Sequence, residues 1–245
     1  MQSVTFPAVA RRQRAFIRVS GPDAEDYLQR MVSNDVAALA EGVACEALLL
    51  TAKARVIATL RVLRRSDNDF LLSTEPELGD PVRAQLVRSR FAAKVEIEPE
   101  EHESWLVLGG DEIVDERPPG EEASEDELER WRIESGIPRW GREIDERILP
   151  AEAGLDETHI SFTKGCYPGQ EPIARQRHRG KVNRKLRVLN IEGEASPGDE
   201  LVLEGKTVGR ITSAVEGVAL AYVRVEVPPS AVLNFAAKPG FARLR

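Results

Sequence analysis

The segment Lys164-Gly165-Cys166-Tyr167-Pro168-Gly169-Gln170-Glu171 places an amine, a thiol and a carboxylate close together in sequence. Cys166 is one of only two cysteines in the 245-residue chain. The thiolate, not the thiol, is the nucleophile and metal ligand, and a nearby cation favours it. Lys164 and the arginines that begin at Arg175 are candidates for that cation. Glycine permits positive φ and close backbone approach, and Gly165 and Gly169 flank the cysteine. The pattern reads as a loop presenting one sulfur for redox, cluster-handling or covalent chemistry. The competing reading is a small buried cysteine in a glycine-shaped turn. Tyr167 and Gln170 read as residues that hold the loop, and Glu171 as a partner of Lys164 or Arg175 or a solvated side chain. Cys45, in an apolar run, reads as core.

Other chemistries lack their markers. The chain has no G-x-G-x-x-G or G-x-x-x-x-G-K-[ST] phosphate loop, no G-x-S-x-G and no H-E-x-x-H. With two cysteines and three histidines, a complete intrachain metal site is not expected, and His159, Cys166 and His178 match no ligand spacing. No secretory signal or transmembrane-length apolar run is seen, so free thiols and a cytoplasmic protein are expected. The net charge of −7 is unevenly spread. Glu96 to Glu129 holds fifteen acidic residues against one arginine, which reads as a solvated face or loop. Arg175 to Arg187 holds seven basic residues and no acidic one. That stretch is either a solvated basic strand or a surface for an anionic ligand tail, phosphate or RNA.

These side chains need a frame. Ala24, Tyr27, Leu28 and Met31 follow the i, i+3, i+4, i+7 spacing of a core-facing helix, opened by Pro22-Asp23 and broken at Ser33-Asn34-Asp35. Strands are expected at Phe16 to Ser20, Ala44 to Thr51, Arg55 to Leu63, Phe70 to Ser73, Lys94 to Ile97 and Ser104 to Leu108, with a helix from Pro81 to Ala92. Gly109 to Glu122 reads as a loop, and Ser124-x-x-Glu127 as a capping box opening a helix that stops near Gly136. From Val182 onward, short β-rich runs and turns suggest a small barrel or sandwich. The first 180 residues read as α+β with antiparallel meanders.

Several segments together resemble the YgfZ/GcvT family of folate-binding proteins, related to the T-protein of the glycine cleavage system. They are Gly21-Pro22-Asp23-Ala24, Tyr27-Leu28-Gln29, Ser33-Asn34-Asp35-Val36, Leu50 to Val56 and Leu60-Arg61-Val62, followed by Arg132 to Pro138 and Leu149 to Glu152. Lys164 to Glu171 is similar to the K-G-C-[YF]-x-G-Q-E signature of the YgfZ branch, and Val208 to Ser213 and Ala219 to Arg224 to the family's final barrel. The resemblance covers nearly the whole chain. It implies an α+β fold of two α+β domains around a folate site plus a small C-terminal β-barrel. The expected domains are 1–47 with 125–181, then 48–124, then 182–245.

The resemblance also implies roles. Glu134 falls where such folds set a glutamate against the folate pterin, whose adjacent N–H and amine suit a carboxylate; on the residues alone it reads as a solvated helix end. Leu128 and Arg14 align with pocket positions, or are ordinary packing and surface residues. Tyr167 and Arg175 join them as candidate cofactor contacts, with Cys166 and Lys164 as candidate reactive residues and no resident metal. T-proteins carry an aspartate pair where this chain has Ala58 and Thr59, so methylene transfer loses its carboxylate. Ala54 stands where a glycine is usual, and a local turn change is expected. The implied protein is a monomeric, tetrahydrofolate-binding accessory factor for iron–sulfur cluster assembly or repair. Its partners would be iron–sulfur proteins, assembly factors and tRNA-modifying clients. The alternatives are a folate-dependent aminomethyltransferase and an RNA-binding module using residues 175–187.

Overall fold

The computed structural model describes residues 7–180 and 182–245. The elements up to Glu122 belong to the first of two compact units, which also takes residues 155–179. They are β1 (Val9–Arg12), β2 (Ala15–Ser20), α1 (Ala24–Met31), β3 (Ala44–Leu50), β4 (Val56–Ser66), β5 (Asp69–Thr74), α2 (Gly79–Ser89), β6 (Glu96–Glu100), β7 (Ser104–Val107) and β8 (Glu112–Val114). α3 (Glu125–Glu134) opens the second unit, and α4 (Gln170–Arg179) returns to the first. The second unit closes with β9 (Arg184–Glu192), β10 (Glu200–Leu203), β11 (Lys206–Val215), β12 (Val218–Arg224), β13 (Val232–Phe235) and β14 (Phe241–Leu244).

In the first unit an antiparallel sheet runs in the order β3-β4-β5-β2-β6, beside a smaller sheet β1-β7-β8. Alternate residues of β4 are buried, from Val56 and Ala58 to Leu60 and Val62, because the side-chain period of a strand is two. Ala24, Tyr27, Leu28 and Met31 form the buried face of α1, as their spacing predicts. The Tyr27 hydroxyl donates to the Leu86 carbonyl at 2.6 Å and so ties α1 to α2. β8 lies inside the stretch expected to be loop; its three residues are too few to show a period.

In the second unit six antiparallel strands close as β10-β11-β12-β9-β14-β13. Leu189, Leu201, Ile211, Val223, Leu233 and Phe235 fill the barrel. Closure leaves no free sheet edge. α3 starts with the expected capping box: the Ser124 hydroxyl accepts from the Glu127 amide, and the Glu127 carboxylate accepts from the Ser124 amide at 2.8 Å. Ile133 seals α3 against Val218 and Leu220 of β12.

The expectation of a loop through Glu171 and a strand-like basic stretch is corrected. The loop ends at Gly169, and the first basic residues lie on the helix α4, while Arg184 to Arg187 begin β9. Pro172 falls in the first turn of α4, where a missing N–H costs little.

Candidate functional site

The segment that breaks α1 clasps the approach to Cys166. The Ser33 hydroxyl donates to the His159 carbonyl at 2.6 Å and accepts from the Leu48 amide at 2.8 Å. The Asn34 amide donates to the carbonyls of Glu46 and Thr158. The Ser161 amide donates back to the Ser33 carbonyl. Ser33 is fully buried, so these bonds satisfy groups that would otherwise be costly to bury. On the residues alone the sequence marked Ser33-Asn34-Asp35 as a helix stop, and the carbonyls of Thr158 and His159 that receive these bonds lie more than a hundred residues away.

Lys164 is the second strut. Its ammonium donates at 2.7 Å to the carbonyls of Val32 and Asn34 and stands 5.5 Å from the centre of the Tyr167 ring. Burial pulls its pKa down to about 8, against the opposing pull of Asp35 and Cys45. Cys45, half-buried on β3, is the thiol that feels this lysine. Burial, with Glu46 adding to it, pushes that thiol up to about 11, and Lys164 opposes the rise. Cys166 is exposed, and no hydrogen bond reaches its sulfur among the described residues. Tyr167, the next residue, is buried and anchors the loop.

The two glycines around Cys166 differ. Gly169 has φ +86°, and a Cβ there would lie 2.7 Å from the Thr51 carbonyl oxygen and 3.0 Å from the Ala54 Cα. Only glycine fits this contact between the loop and the β3–β4 turn. Gly165 has no positive φ, and a Cβ would meet open space. The β3–β4 turn is itself unusual, since Ala54 sits at φ +59°. That is the left-handed region where glycine is usual, so the substitution leaves the turn in place at some cost. Beyond Gly169, α4 carries Arg175 on its exposed surface. The Arg177 guanidinium stacks 3.7 Å from the centre of the Phe162 ring.

His159 lies 3.8 Å from a Glu46 oxygen. Burial takes its pKa down to about 4, so at neutral pH the imidazole is uncharged and the contact is not an ion pair. Arg14 is committed within this unit: its guanidinium grips both Glu112 oxygens at 2.9 and 2.8 Å and reaches Glu75 at 3.1 Å. Burial alone would raise the Glu112 carboxyl, but Arg14 and Arg12 hold it down at about 2. One member of the acidic stretch expected at a solvated face is therefore buried and paired. Ala58 is fully buried, and Thr59 pairs across the sheet with Leu48, so neither position supplies a carboxylate.

Glu134 and Leu128 lie on α3 in the second unit. Glu134 is the last helical residue; its carboxylate is 39% exposed and has one long contact, 3.5 Å, to Arg130. A carboxylate at the negative end of a helix is unfavourable by about 0.3–1 kcal/mol. Leu128 is half-buried, six residues earlier on the same helix. Beneath them runs a polar network that the sequence reading missed. Arg132 donates to Glu143 at 2.9 Å, to Ser213 at 2.8 Å, to the Ile137 carbonyl at 2.8 Å and to both Glu129 oxygens. Ser213 donates to the other Glu143 oxygen at 2.6 Å, and the Tyr222 hydroxyl to the Glu143 carbonyl at 2.8 Å. The Glu143 side chain is completely enclosed and paired. This network fixes the C-terminal end of α3 on the barrel strands. No signal near Glu143 in the sequence announces it.

No group of three or more His, Cys, Asp or Glu side chains converges as a metal site among the described residues. No helix among them is long and apolar enough to cross a membrane.

Comparison with known proteins gives a consistent set of relatives. Residues 183–235 match the family described as CAF17, C-terminal beta-barrel domain. The tRNA-modifying protein YgfZ of Klebsiella pneumoniae is 26% identical, over 82% of this chain and 79% of its own length. The mitochondrial iron–sulfur cluster assembly factor IBA57 of Mus musculus is 25% identical, over 87% of this chain and 76% of its own length. The crystal structure of the glycine cleavage system aminomethyltransferase T from Bartonella henselae superposes with a TM-score of 0.82. It covers 97% of this chain and 84% of that one at 17% identity, and so shows a shared fold.

Proposed function

Because this chain belongs to the YgfZ/GcvT-like family, we propose that it is a tetrahydrofolate-binding accessory protein for iron–sulfur cluster assembly or repair. It would act in the cytoplasm as a monomer. Its clients would be iron–sulfur proteins, including cluster-dependent tRNA-modifying enzymes. The observation that carries this reading is the exposed Cys166, on a loop held by the buried Lys164 and Tyr167 and by the close approach at Gly169, in a chain with Ala58 and Thr59 where a transferase would need a carboxylate. The fold is that of an aminomethyltransferase, but the residues that would carry methylene transfer are not.

The residues fit a folate. The Glu134 carboxylate is exposed, only loosely paired and set at a helix end that disfavours it. Two adjacent N–H donors of a pterin would satisfy it as an arginine fork does. Leu128 offers apolar surface on the same helix, and the Arg132–Glu143 network keeps the helix end in place. Within the first unit, Tyr167 holds the cysteine loop and Arg175 presents an exposed cation. Arg14, held by two carboxylates, has little left to offer a ligand directly and would act by holding the β1–β2 region. When bound, tetrahydrofolate would bring a reduced, readily oxidised ring system.

Calorimetric titration of the whole protein with tetrahydrofolate tests the binding half. Glu134→Ala removes a charge-assisted pair of hydrogen bonds and is expected to weaken binding about 10- to 100-fold. Absence of heat with the native protein, or unchanged affinity in the variant, contradicts the folate assignment. Sustained production of methylene-folate from an amine donor would instead favour the transferase reading.

A further inference from the structure

The end of α2 carries a feature that the proposed function does not use. Phe91 is 92% exposed and has φ +46°. Arg90 caps α2 in helical conformation, with its amide donating to the Val87 carbonyl, so Phe91 is the next residue out. That position in the left-handed region usually belongs to glycine. A phenylalanine here is both strained and fully wetted, and neither folding term explains it. Val87, one turn back, is 43% exposed, and Ala84 and Ala92 are exposed with it. The inner face of the same helix, Val82 and Leu86, is buried as expected.

Cations surround this apolar stripe: Arg83, Arg88, Arg90 and Lys94 are all exposed. Arg83 and Arg90 donate to the carbonyls of Ile97 and Val95. Among the described residues none of the four is ion-paired. Asp80 lies in the first turn of α2, near the opposite end of the helix, and the Asp23 carboxylate accepts from the Lys94 backbone amide at 2.7 Å. This is unusual in a chain with net charge −7.

We propose that the C-terminal end of α2, with Val87 and Phe91 framed by Arg83, Arg88, Arg90 and Lys94, is a docking surface for an anionic lipid bilayer. Unpaired cations select a negatively charged partner. An amphipathic helix end with an aromatic on its apolar stripe and arginines beside it seats at the headgroup boundary. The aliphatic side chains decide between anionic partners. Val87, Ala84 and Ala92 have no π-face for a base to stack on, whereas the acyl boundary accepts them together with Phe91. Docking there would be reversible and salt-sensitive, since it relies on one ring and a few charges.

The test is co-sedimentation of the full chain with phosphatidylcholine vesicles and with vesicles of phosphatidylcholine and phosphatidylglycerol in equal parts. The protein is expected to sediment only with the anionic vesicles, and less as salt rises. Phe91→Gly is expected to lower partitioning about tenfold while raising the melting temperature, because glycine relieves the backbone and the ring's burial in lipid is lost. Arg88→Glu with Arg90→Glu is expected to abolish it. No sedimentation with anionic vesicles overturns the proposal, and so does sedimentation that Phe91→Gly leaves unchanged. Retention of tRNA that depends on Phe91, without vesicle binding, also overturns it and assigns the surface to nucleic acid.

Discussion

The two cysteines share one unit but occupy opposite environments. Cys45 lies on β3, half-buried, where burial holds its thiol up at about 11. Cys166 lies on an exposed loop with no hydrogen bond to its sulfur among the described residues. Lys164 sits between the two stories. In sequence it neighbours Cys166, yet in space its ammonium is tied to the Val32 and Asn34 carbonyls and its charge is felt by Cys45. The lesson is that the loop's rigidity and the sulfur's exposure are supplied by different residues. Ser33, Asn34, Lys164 and Gly169 build the platform, and Cys166 is what the platform presents.

The sharpest way to break that comparison is to damage the platform without touching either sulfur. Gly169→Ala drives a Cβ against the Thr51 carbonyl at a positive φ, and is expected to cost about 3 kcal/mol in urea unfolding. Gly165→Ala meets open space and is expected to stay within about 0.5 kcal/mol of the native protein. Equal effects at the two positions would mean that the loop is not held at Gly169.

A smaller effect separates Lys164 from Cys45 by pH. The Lys164 amine is depressed to about 8 in the folded protein from 10.5, so stability rises with pH between those values, where only the unfolded chain stays protonated. Its contribution is complete above 10.5 and lost as pH falls through about 8. The Cys45 thiol is raised to about 11 from 9.0, so its contribution is complete below 9.0 and lost as pH climbs to about 11. The two cancel above 9.0, leaving a clean window between pH 8 and 9.0. The native protein should gain up to about 1.4 kcal/mol across that window, and Lys164→Met should be flat there. In Cys45→Ser the rise should continue to pH 10.5.

Much of this organisation was legible in the chain. The spacing of Ala24, Tyr27, Leu28 and Met31, the Ser124–Glu127 box and the β-rich run after Val182 rest on local periodicity and capping, which sequence records directly. The glycine at 169 was readable as a close approach, but not what it approaches. The basic stretch was read by its charge rather than by its period, and Pro172 falls in the first turn of α4, where a proline is well tolerated. Ser33, Asn34 and the Arg132–Glu143–Ser213 network escaped for a different reason. Their partners are backbone carbonyls or side chains far along the chain, and such pairings leave no periodic trace.

The central claim is that Cys166 is the working sulfur and Cys45 is not. It is tested most directly by the activity of a cluster-dependent enzyme in cells that lack this protein and are supplied with the native chain, Cys45→Ser or Cys166→Ser at matched levels. The native chain and Cys45→Ser should restore activity, and Cys166→Ser should fail while remaining as stable and as able to bind tetrahydrofolate as the native protein. Full restoration by Cys166→Ser would contradict the account.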